Sequence, residues 1–76
     1  MTQQEFLVKV SEMLEAEPAL TGAEVLSDLG TWDSLAVMSL MALAEAECGI
    51  VLAPKDIGTC NTVNDLVALV YERNAA

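Results

Sequence analysis

GTWDSLAVM, residues 30–38, sets an aspartate and a serine between a glycine-led turn and an apolar run. Asp33 and Ser34 both have side chains that accept from the free N–H groups of a first helical turn, so the segment predicts a helix start. Carried forward, that helix spans Ser34 to Cys48 and stops at Gly49, a residue suited to a left-handed C-terminal position. Projected at about 3.6 residues per turn, Val37, Leu40, Met41, Ala44 and Cys48 share one face, with Leu35, Ser39, Ala42 and Ala46 opposite. The first face is the expected core. The second is small or apolar rather than charged, which marks a helix that is central in its fold or touches something on its outer side.

Helical patterning continues on both sides. TQQEFLVKVSEML, residues 2–14, opens with Thr2 and Glu5 at capping-box spacing and repeats Phe6, Leu7, Val10, Met13 and Leu14 along one face. From Glu17 to Thr31, Pro18 and Gly22 predict a long loop, with Leu20, Val25, Leu26 and Leu29 as its apolar anchors. After Gly49, IVLAP reads as an extended link, because nothing else in the chain offers it a strand partner; a brief helical turn follows over Lys55 to Gly58. The last helix begins at Thr62, with Asp65 as the acid of its cap and Val63, Leu66, Val67, Leu69 and Val70 as its buried stripe. The expected fold is all-α: a small four-helix bundle of three main helices plus one short helix, with a long loop between helices one and two. It forms a single domain over residues 1–76.

Composition narrows the function. A chain of 76 residues is too small for a deep catalytic cleft. Twelve acidic residues against Lys9, Lys55 and Arg73 leave a net charge of −9, which repels nucleic acid and anionic membranes, attracts basic protein partners and favours a monomer. At 54% hydrophobic residues it is too apolar for a disordered acidic tail. The N-terminus has no secretory pattern and no apolar stretch reaches membrane-spanning length, so a cytoplasmic location is expected. Cys48 and Cys60 lack metal-ligand spacing and are expected to be small packed residues, with no metal site. With no histidine in the chain, Ser34 has no neighbouring base to make it a nucleophile, so neither an enzyme nor a catalytic residue is expected.

The ordered set LGTWDSL at residues 29–35, a Gly-Ile pair at 49–50 and TVNDLVALV at 62–70 resembles an acyl carrier protein, over essentially the whole chain. The resemblance implies that the Ser34 hydroxyl is the attachment point of 4′-phosphopantetheine, transferred from coenzyme A by a separate phosphopantetheinyl transferase. A base supplied by another enzyme explains a serine with none of its own. The arm's thiol would carry acyl or aminoacyl intermediates as thioesters to loading and modifying enzymes of fatty-acid, polyketide, nonribosomal-peptide or other specialised biosynthesis. Asp33 is then either a recognition residue or a helix cap, and Val37, Met41, Ala44, Ile57 and Val67 are the expected lining of a gap that shelters cargo.

Two departures qualify the likeness. Many fatty-acid-synthesis carriers place acidic residues along the outer face of helix two, whereas that face here offers Ala36, Ser39, Ala42 and Ala46 beside Met38, with Glu45 and Glu47 only late. Partner recognition is therefore expected through Leu35, Met38 and Ala42, by apolar contact. Trp32 lengthens the step from glycine to aspartate and is expected either to anchor the loop or to touch a partner. Together these suggest a free-standing carrier of a specialised pathway. The competing reading is an acidic helical adaptor without a prosthetic group.

Overall fold

The computed structural model describes residues 2–75, with side chains through Arg73. Four helices follow in order: α1 (Gln3–Met13), α2 (Ser34–Cys48), α3 (Pro54–Gly58) and α4 (Val63–Ala75), and the described residues form no sheet. α1 packs on α4 and α2, while α2 also meets α3 and α4, so α2 touches every other helix. This agrees with the small helical bundle expected from periodicity. Val10, Leu40, Leu52, Val63 and Leu66 are the largest fully buried side chains, one or more from each long helix and one from the α2–α3 link. No helix among the described residues is long and apolar enough to cross a membrane.

Capping explains most of the boundaries. Thr2 Oγ1 accepts the Glu5 N–H at 3.1 Å while Glu5 accepts the Thr2 N–H at 2.9 Å, the reciprocal box read from sequence. α1 ends one residue before the expected Leu14, which becomes the C-cap. Beyond it the chain turns through Glu15 at φ 53°, with the Ala16 N–H on Ser11 C=O at 3.0 Å and the Glu15 N–H on Glu12 C=O at 3.1 Å. This is a Schellman closure built on a non-glycine residue. α2 closes through Gly49 at φ 67°, as expected. α3 starts at Pro54 rather than Lys55, since a proline's fixed φ suits the first helical position. α4 starts at Val63, one residue late, because Thr62 is spent as its cap: Thr62 Oγ1 accepts the Asp65 N–H at 3.2 Å and Asp65 Oδ2 accepts the Thr62 N–H at 3.0 Å.

The connection between α1 and α2 is a tied segment rather than a free loop. Ser11 is buried in α1, and its Oγ accepts the Leu20 N–H at 3.0 Å. Three backbone bonds then stitch the segment to the start of α4: Asn64 N–H to Gly22 C=O at 2.8 Å, Val63 N–H to Glu24 C=O at 3.0 Å, and Leu26 N–H to Asn61 C=O at 2.8 Å. Gly22 sits at φ 106°, which residues with a side chain rarely adopt, directly against the Asn64 amide that a Cβ would have to displace. Leu20 and Leu26 are buried and Leu29 half-buried, as anchors should be. Val25 is not: its side chain is exposed, and it is held by its backbone pairing with Thr62. A short 3-10 turn, Leu26–Asp28, follows and leads the chain toward α2.

One projection along α2 needs correcting. Ala36, placed on the outer face, is buried, and Ser39 is half-buried. The end of α1 around Met13 and Leu14 and the turn at Gly30 and Thr31 border the same side of α2, so the helix is covered on two flanks near its start. On the expected core face, Leu40 and Ala44 are fully buried, while Val37, Met41 and Cys48 are partly so.

Candidate functional site

Asp33 is the N-cap of α2, in extended conformation, and its Oδ1 accepts the Ala36 N–H at 2.9 Å. Its carbonyl accepts the Val37 N–H at 3.0 Å, the first bond of the helix. The N–H groups of Ser34 and Leu35 find no acceptor among the described residues, so the start of α2 keeps unpaired donors and the positive end of the helix dipole. Ser34 is the first helical residue, exposed, with a hydroxyl that bonds to no other described group. An anionic group at that oxygen would lie where negative charge is favoured.

Beside Ser34 opens a cavity of about 520 Å³. Its walls come from three separate stretches: Leu26 and Trp32 of the first connection, Val37 and Met38 of α2, and Ile57 and Cys60 around α3. Trp32 is half-buried, its side chain packed against the core and its backbone N–H donated to Leu29 C=O at 3.1 Å. Of the gap residues expected from sequence, Val37 and Ile57 line this cavity. Met41, Ala44 and Val67 do not: Ala44 is fully enclosed in the core, and Val67 packs with Phe6 and Tyr71 on the side of α1. The cavity thus lies beside the first turns of α2 and along the length of α3. Cys60, Asn61 and Ser27 at its edge carried no local signal, because folding brings them to Ser34 across the chain.

The outer surface of α2 is apolar at its start. Leu35 is 70% and Met38 66% exposed, and Ala42 is exposed as well. No charged residue occurs from Ser34 through Ala44; Glu45 follows, and Glu47 is paired with Lys9 at 3.4 Å. The carboxylates held below their ordinary range are those that cap backbone: Glu5 by Thr2, Glu24 by Thr21 and Gly22, Asp56 by Ala53 and then Arg73, and Asp65 by Asn61 and Thr62. Both cysteines are free and half-buried. Burial, and then the Asp65 charge, push the Cys60 thiol upward, so it is neutral.

A family model described as phosphopantetheine attachment site matches residues 4–70. The chain belongs to the phosphopantetheine attachment-site family. It is a phosphopantetheine-carrying carrier protein, and the prosthetic group of the family is attached covalently. Such carriers work with a phosphopantetheinyl transferase and with biosynthetic enzymes, and are typically not catalysts themselves. No curated protein and no solved structure matches the chain at a significant level. The local geometry fits the family's group: an exposed hydroxyl, unpaired helix N–H groups beside it and an adjoining cavity.

Proposed function

We propose that Ser34 carries the 4′-phosphopantetheine arm and that the chain presents acyl or aminoacyl thioesters to partner enzymes of a specialised biosynthetic pathway. The observation that carries this reading is the placement of Ser34, an exposed hydroxyl at the head of α2 within the span matched by the family model. When bound, the arm supplies a thiol that forms thioesters. The chain's own residues do the rest. Ser34 Oγ attacks the pantetheine-side phosphorus of the coenzyme A pyrophosphate, the P–O bond to the nucleotide breaks and adenosine 3′,5′-bisphosphate leaves, while the hydroxyl proton goes to a base of the transferase, since the chain has no histidine. Asp33 holds the first turn of α2 so that this oxygen faces outward, and the free N–H groups of Ser34 and Leu35 favour the phosphate charge.

Leu35, Met38 and Ala42 form the surface that partner enzymes meet, through apolar contact rather than through a row of charges. The surrounding −9 charge steers basic partners toward it. The uncharged start of α2 favours partners other than those of a housekeeping fatty-acid synthase.

The test is a weighing experiment. With Cys48 and Cys60 blocked against mixed disulfides, incubation with coenzyme A and a broad-specificity transferase is expected to add the mass of phosphopantetheine. Ser34→Ala is expected to abolish the addition. An adduct that persists in Ser34→Ala overturns the assignment, and an unchanged mass with a transferase that modifies a control carrier favours the adaptor reading.

A further inference from the structure

We infer that a groove along the outer face of α1 is a second docking surface, which takes a basic, leucine-bearing helical segment of a partner enzyme while Ser34 stays free. The groove has a volume of about 440 Å³. Its floor is apolar: Leu7 and Leu20 are buried at its base, Val8 is 48% exposed, and Ala19 adds a small side chain from the start of the connection. Its rim is acidic, with Glu12, Glu15 and Glu17 all exposed. No residue of α2 or α3 contributes to it, and none of its side chains lines the cavity beside Ser34.

The acids at that rim are unlike most in the chain. Glu5, Glu24, Asp33, Asp56 and Asp65 all cap backbone N–H groups. Glu47 is paired with Lys9, and Arg73 is taken by Asp56. Of the twelve carboxylates, six are left without such a task among the described residues, and three of these are Glu12, Glu15 and Glu17. They lie within six consecutive residues, repel one another and are bridged by no described cation. Glu15 also holds the left-handed position of the turn that ends α1, at φ 53°, where glycine is the unstrained choice. A glutamate there costs stability and supplies a charge at the groove.

Charge and shape select the occupant. The rim repels nucleic acid and anionic membranes. A second copy of this chain has no basic stripe to offer, since Lys9 and Arg73 are already paired, which leaves Lys55 against a net charge of −9. What fits is a segment with apolar side chains for the floor and Lys or Arg for the rim. The groove is walled by side chains of a helix and offers no strand edge, so the segment satisfies its own backbone as a helix does. At about 30 Å³ per water-sized group, the groove holds no more than about 15 non-hydrogen atoms, room for the leucines of one helical stripe rather than for a whole element. Glu15 borders as well the hollow that runs to Asp33 and Leu35, so a segment seated on α1 ends beside the surface at the head of α2. That the partner is an enzyme rests on the carrier reading; the groove and its charge do not.

The probe is a fluorescein-labelled helical peptide with leucines along one stripe and arginines on both flanks. It is titrated with the intact protein and followed by anisotropy, and amide chemical shifts of the isotope-labelled protein map the contact. Saturable binding with shifts at Val8, Glu12 and Ala19 is expected. The combined Glu12→Gln, Glu15→Gln and Glu17→Gln variant is expected to bind about tenfold more weakly, and Val8→Ser several-fold more weakly. A matched variant with Asp28→Asn, Glu45→Gln and Glu72→Gln carries the same net charge and is expected to bind within about twofold of wild type. Equal weakening in the two triple variants overturns the site, because net charge alone then steers the peptide. Shifts centred on Leu35, Met38 and Ala42 overturn it too, as does equal affinity for a peptide whose leucines are replaced by serine. Transferase labelling of Ser34 is expected to keep its rate with the peptide at saturation, and a blocked Ser34 overturns the separation of the two surfaces. If Ser34 is not labelled even without peptide, the carrier reading fails, and with it the assignment of the partner as an enzyme, while the binding data still decide the groove.

Discussion

Replacing Asp33 separates two jobs that coincide in one carboxylate. Its Oδ1 accepts the Ala36 N–H at 2.9 Å and so satisfies one free donor of α2. Removing such a cap costs about 1 kcal/mol. In a domain of this size about 1 kcal/mol lowers the unfolding midpoint by roughly 4–8 °C, and Asp33→Ala is expected to fall in that range. Asp33→Asn keeps an oxygen in place and loses only the charge interaction with the helix dipole, about 0.3–1 kcal/mol at an exposed site, so its midpoint is expected to fall less. Modification at Ser34 is the second axis. If the transferase reads the negative charge, Asp33→Asn is labelled more slowly than wild type although it stays more stable than Asp33→Ala; if Asp33 is only a cap, Asn is labelled normally. Thermal denaturation by circular dichroism and initial labelling rates by mass spectrometry give both numbers from the same samples. An Ala variant as stable as wild type, or an Asn variant as destabilised as Ala, refutes the capping argument.

Ser11→Ala leaves the Leu20 N–H without its acceptor in a buried setting, which costs about 1–3 kcal/mol; a lowered unfolding midpoint and faster hydrogen exchange at the Leu20 amide are expected, and unchanged exchange contradicts this. Glu15 occupies the left-handed region at φ 53°, a conformation that costs a non-glycine residue about 1–2 kcal/mol. Against glycine's own entropy cost of about 0.5–1 kcal/mol, Glu15→Gly is expected to raise the midpoint by a few degrees, and a fall refutes the strain. Asp65 accepts N–H bonds from Asn61 at 2.9 Å and Thr62 at 3.0 Å, which lower its folded pKa. A lowered folded value means that its stabilisation is complete above the unfolded value of about 4 and is lost as pH falls through the folded one. Glu5, Glu24 and Asp56 act with the same sign, so the midpoint is expected to drop below about pH 4. Asp65→Asn is expected to make the acid drop shallower, and an equally steep drop argues against this residue.

Local chemistry was legible without coordinates wherever a signal lies within one or two helical turns. The Thr2–Glu5 and Thr62–Asp65 boxes, the start of α2 at Asp33 and Ser34, and its stop at Gly49 all involve neighbours a few residues apart. Periodicity likewise identified Val10, Leu40 and Leu66 as core, because the helix repeat fixes which side chains share a face. It does not fix what covers a face. Ala36 is buried because the end of α1 and the turn at Gly30 come back onto α2, and Val25 is exposed because its backbone, not its side chain, holds the connection to α4.

Four helical segments, the caps at Thr2, Asp33 and Thr62 and a serine at the mouth of one helix follow from patterns local to the chain. Packing of distant segments was needed to show that Trp32 and Cys60 join Val37 and Ile57 in lining one cavity beside that serine, while Ala44 and Val67 belong to the core. The physical reason is range: helix geometry and capping bonds act over a few residues, whereas a cavity forms where packed elements distant in the chain fail to fill the space between them.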